Sequence, residues 1–146
     1  MGTGPAGEGR SRWRLTAMKS VDYIFQGQTY PLCLNGAALF AIYDRYGADI
    51  SVFDPITPTD NKGFEAVCFY LHKLAEQGEL VRRWEGHRPR KIPAEKMFAA
   101  LLSPLDVPEA KTAIRQAIRL GFEREHDDRE SIDLGLAELR KKEAAD

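Results

Sequence analysis

The chain has 146 residues, 21 Lys and Arg against 22 Asp and Glu, a net charge of −1 and 43% apolar residues. Such proportions describe a globular domain that can bury a core without metal or disulfide, and they exclude a fibre, a disulfide knot and a wholly disordered chain. Balanced charge gives no global field to hold a polyanion, so binding to nucleic acid or a membrane surface would need a local patch.

Apolar runs such as Ala37 to Tyr43 fall far short of the ~20 residues that cross a bilayer. Residues 1–18 hold four glycines in the first nine positions and Arg10, Arg12 and Arg14. They lack the apolar centre of a secretory signal and the apolar content that would offset the entropy of ordering. A disordered leader is expected, with Met18 as an alternative start of the functional chain, and a cytoplasmic location. Cys33 and Cys68 read as buried small hydrophobes, not a disulfide.

From Val21 the pattern has period two. Val21, Tyr23 and Phe25 alternate with Asp22, Ile24 and Gln26, and Tyr30, Leu32 and Leu34 alternate again after Gln26-Gly27-Gln28. This predicts a hairpin with Gly27 in the turn, leaning on helices through Tyr23, Phe25, Leu32 and Leu34. Pro31 has no N–H, which places the open side of the second strand, or a bulge, at that position. A helix over 36–46 follows, between the N-cap Asn35 and the C-cap Gly47. Pro55 and Pro58 interrupt 48–61, where Ile50, Val52 and Phe53 are expected to tuck onto the core.

The second helix is expected behind Asp60 or Asn61, with Phe64, Val67, Cys68, Leu71, Leu74 and Ala75 on one face. Gly78 either ends it or weakens it, since Leu80, Val81 and Trp84 extend the pattern. Pro93 suits the first position of a third helix carrying Met97, Phe98, Leu101 and Leu102, and Ser103-Pro104 stops it. Pro108 opens a fourth, with Ala110, Ala113, Ile114, Ala117, Ile118 and Phe122 on one side. The fold class is mainly α with a small N-terminal β-hairpin (α+β): a helical domain over 19–125 with flexible termini and a charged tail at 126–146.

No glycine-rich phosphate loop, Gly-x-Ser-x-Gly elbow or His-Glu-x-x-His occurs. A non-enzymatic role is expected, without cofactor or metal. Cys68 and His72 share a helix face but lie in or beside the apolar stripe, so they read as a core cysteine and a boundary histidine. His126-Asp127-Asp128 reads as a solvated linker, and Glu65 and Glu76 as surface carboxylates.

Arg82, Arg83, Arg88, Arg90 and Lys91, less Glu85, give +4 over ten residues around Trp84. This is the strongest polyanion-binding feature of the chain. The plainer reading is a solvated basic loop complementing a helix C-terminus, and it is preferred because no recognition helix accompanies the patch. Residues 123–146 carry nine acidic and five basic residues, with Ile132, Leu134, Leu136 and Leu139 as a short apolar content. In helical spacing Ile132, Leu136 and Leu139 share a face that docks either on the body of the domain or on another protein.

Phe25-Gln26-Gly27-Gln28-Thr29-Tyr30-Pro31-Leu32, the stretch from Leu34 through Gly47, Phe64 through Leu80, and the helices after Pro93 and around Leu105 to Leu120 together resemble the tail assembly chaperones of long-tailed phages and prophages of Gram-positive bacteria. The resemblance covers most of residues 19–125. It implies a protein of the bacterial host's cytoplasm that coats the tape measure protein while the tail tube polymerises, with the tail tube protein and self-association as further contacts and no nucleic acid or membrane partner. It also implies the short form of a frameshifted pair, with slippage at or near Lys141-Lys142. The alternative reading is a small nucleic-acid-associated accessory protein that uses the 82–91 patch.

Overall fold

Gln26 and Gly27 both adopt positive φ, 51° and 78°, and reverse the chain in a two-residue turn whose twist matches that of the strands it joins. In the computed structural model, which describes residues 20–123, these strands are β1 (Val21–Phe25) and β2 (Gln28–Leu32). They pair antiparallel without a bulge, Val21 opposite Leu32 and Tyr23 opposite Tyr30. The leader at 1–18 and the tail at 126–146 lie outside the described residues.

Tyr23, Phe25, Tyr30 and Leu32 are buried on one side of the ribbon, as is Leu34 beyond it. The second strand has an outer edge, and Pro31 lies on it, where a missing N–H removes no ladder bond. That edge is covered. Cys33 N–H donates to the Leu74 carbonyl at 3.1 Å, Arg90 Nη2 donates to the Thr29 carbonyl at 3.0 Å, and the Pro31 carbonyl faces Gly78.

Helix α1 spans Gly36–Tyr46, between the caps read from the sequence. Asn35 Oδ1 accepts from Ala38 N–H at 3.0 Å, and Gly47 N–H closes the other end on the Tyr43 carbonyl at 2.8 Å. In the following segment a 3-10 turn, Asp54–Ile56, buries Ile56 beside Val52. Ile50 does not tuck inward as expected but stays exposed, while Phe53 is half-buried against the core.

Helix α2, Asn61–Trp84, is capped by Asp60, whose Oδ1 accepts from Gly63 N–H at 3.1 Å. It neither ends nor breaks at Gly78. A Cβ at that position would overlap the Pro31 carbonyl, so the glycine permits β2 to lie directly on the helix, and the tertiary contact outweighs its poor helix propensity. Helix α3, Glu95–Leu101, starts two residues after Pro93. The Pro93 carbonyl is engaged by His72 Nδ1 at 2.9 Å, which holds it out of a first helical turn. Phe98 fills the core against Phe25, ring centroids 4.6 Å apart, and Leu102 is buried just past the helix end.

Helix α4 runs over 106–123, beginning two residues before Pro108. Asp106 Oδ2 accepts from Ser103 N–H at 2.9 Å, fixing that earlier start. Ala110, Ala113, Ile114, Ala117 and Ile118 are buried, as the periodicity predicts. Lys111 reaches Pro58, ahead of α2, while Gly121 backs onto Leu34 near the middle of α2; α4 therefore runs in the same sense as α2. The described residues form a mainly helical fold around one apolar cluster, with the hairpin packed on the helices. No described helix is long and apolar enough to cross a membrane.

Candidate functional site

The basic stretch is organised by a residue the sequence reading passed over. Glu79 lies on the buried side of α2, 2% exposed. Its Oε1 accepts from Arg82 Nη1 at 2.6 Å, and its Oε2 accepts from Arg83 Nε at 3.0 Å and from the Arg90 backbone N–H at 2.6 Å. Arg90 Nε lies 3.8 Å from Oε1, and its guanidinium sits over the Tyr30 ring at 5.5 Å. Arg83 Nη2 also donates to the Arg90 carbonyl at 2.9 Å.

Burial drives the Glu79 carboxyl upward, but the Arg90 N–H and the Arg83 and Arg82 side chains together outweigh it and hold the carboxyl below the usual glutamate value. The solvated-loop reading is thus corrected for Arg82, Arg83 and Arg90. Arg82, Arg83 and Arg90 bind the loop to α2 and β2 around one buried anion, with Arg83 still partly exposed, while Arg88 and Lys91 are exposed and are not among the partners of Glu79. A signal for this was present: Glu79 falls four residues after Ala75, within the apolar stripe, and three and four before two arginines.

Cys68 and His72 do not form a reactive pair. Burial, then the nearby Glu95 and Glu65 charges, push the Cys68 thiol up to about 11, which keeps it protonated and a poor nucleophile near neutrality. His72 donates from Nδ1 to the Pro93 carbonyl. Glu65 is exposed, and Glu76 pairs with Lys73 at 2.9 Å. Among the described residues no three His, Cys, Asp or Glu side chains converge as a metal site. His126-Asp127-Asp128 and the tail residues Ile132, Leu134, Leu136 and Leu139 lie outside the described residues.

A groove of about 620 Å³ lies between the N-terminus of α2 and the first turns of α4. Its floor is apolar, from Phe64, Leu102, Pro104 and Val107, and Lys111 and Arg115 stand along its α4 side. Lys111 Nζ donates to the Pro58 carbonyl at 3.1 Å, which ties the two walls together. Asp60, also in the wall, is engaged as the α2 cap. Beside Pro104 stands Leu105, 89% exposed, more than any other large apolar side chain described. The sequence could not show this groove, because its walls come from residues 58–64 and 102–115 and meet only in the fold. A second hollow of about 720 Å³ on the other side of Phe64 is walled by the charged Glu65, Glu95 and Lys96.

Comparison of the chain with protein-family models, curated proteins and solved structures gives no match.

Proposed function

We propose that this chain is a non-enzymatic assembly chaperone of the phage and prophage tail type, acting in the cytoplasm of a bacterial host on the tape measure protein. The observation that carries the reading is the groove between α2 and α4, where Phe64, Leu102, Pro104 and Val107 share a lining with two cations, and the exposed Leu105 follows Pro104 in the chain. That surface suits an apolar polypeptide segment with acidic flanks. The apolar residues Ile132, Leu134, Leu136 and Leu139 supply a second contact. Three or four aliphatic side chains give only a few kcal/mol, so each copy binds weakly and many copies act along one long client.

The test is capture of the tape measure protein by the full chain, by a Leu105→Asp, Val107→Asp variant and by a chain ending at residue 125. Capture by the full chain is expected, and its reduction by the Leu105→Asp, Val107→Asp change; the chain ending at residue 125 reads whether the tail adds to capture or competes with the client for the groove. A reading frame that overlaps a −1 extension near Lys141 would accompany capture. No capture by any form would overturn the proposal. Binding to DNA or RNA with a steep salt dependence, lost on replacing Arg88 and Lys91 by Ala, would install the nucleic-acid-associated alternative in its place.

A further inference from the structure

We infer that the groove between α2 and α4 is the resting site of this chain's own acidic segment 130–139. The inference goes beyond the client reading and stands whatever the client is, because both halves of the contact belong to this chain.

The carboxylate of the groove lining, Asp60, is engaged as the α2 cap, and its cations Lys111 and Arg115 have no carboxylate partner among the described residues. Phe64, Leu102 and Val107 are apolar residues of its lining, and Leu105, next in the chain to the lining residue Pro104, is exposed. Lys111, Arg115 and Arg119 follow one another at four-residue spacing along α4, from the groove toward the end of the helix. Among the described residues no carboxylate pairs with any of the three. Segment 130–139 offers the complement: Glu130, Asp133 and Glu138, no lysine or arginine, and the apolar Ile132, Leu136 and Leu139.

The chain can make the return. From Lys111 to Glu123 the helix advances about 18 Å at ~1.5 Å per residue. The eight residues 124–131 reach up to about 26 Å when extended. A segment running back beside α4 therefore passes Arg119 and Arg115 before its leucines arrive at the groove. A client that uses the same floor has to displace it, so the free chain hides its own apolar surface until a client competes for it.

The test uses the full chain with a nitroxide on Thr112→Cys, since Thr112 lines the groove and is exposed whereas Cys33 and Cys68 are buried. Amide signals of 130–139 are expected to broaden several-fold more than in a chain with the order of 130–139 scrambled. The excess should vanish in an Arg115→Glu, Arg119→Glu variant whose core amide shifts are unchanged. Equal broadening in the native and scrambled chains would overturn the inference. So would broadening that appears when spin-labelled chains are mixed with isotope-labelled chains carrying no nitroxide, since the occupant would then be a second copy.

Discussion

The Asn35 side chain caps α1 with its oxygen and, with its nitrogen, donates to Gln77 Oε1 at 3.1 Å, joining the start of one helix to the buried flank of another. Replacing Asn35 by Ala removes the cap and strands Gln77, and should cost about 2 kcal/mol. Asn35→Asp retains the cap, and a flipped Gln77 amide can donate to it, so that variant should lose under half as much. Urea unfolding of the two variants beside the parent checks the order.

Gly78→Ala should destabilise by more than about 2 kcal/mol, although alanine favours a free helix by about 1 kcal/mol. The Pro31 carbonyl occupies the place a methyl group would take. The reverse sign in thermal melts, a gain in Tm, would show that β2 does not rest on α2 at this point.

Glu79→Gln leaves the shape of the buried side chain but removes the charge that gathers Arg82, Arg83 and Arg90. A loss of about 3 kcal/mol at pH 7 is expected, at the lower end for a broken buried pair because Arg83 is 44% exposed. The carboxyl is held below its usual value in the folded state. Its contribution is therefore complete above the ordinary glutamate range and is lost as pH falls through the lower, folded value. Parent and variant should converge in stability on acidification, which unfolding curves at neutral and at strongly acidic pH measure directly.

Leu71→Ala should cost on the order of 2–5 kcal/mol, since Leu71 is fully buried in the apolar cluster and its removal leaves a cavity. An unchanged melting curve would remove this face of α2 from the core.

The hairpin, the bounds of α1 and the apolar face of α2 were legible because their signals are local: alternation around Gly27, a cap at Asn35, a stripe from Phe64 to Ala75. What the sequence could not show depends on residues far apart in the chain. The passage of α2 through Gly78 is decided by Pro31, the late start of α3 by His72, and the fate of the arginines by Glu79 together with the return of Arg90. The groove belongs to the same class, since neither Phe64 nor Val107 carries a mark of the other.

The covering of β2 also limits how copies of this protein can associate through their sheets. A ribbon with two bare edges is a template on which strands can be added without end. Here Leu74, Gly78 and Arg90 occupy the β2 side, which leaves β1, among the described residues, as the side of this ribbon on which a strand could be added. Two such ribbons meeting β1 to β1 would leave no bare edge on either ribbon for a third, so association through this ribbon stops at a closed pair.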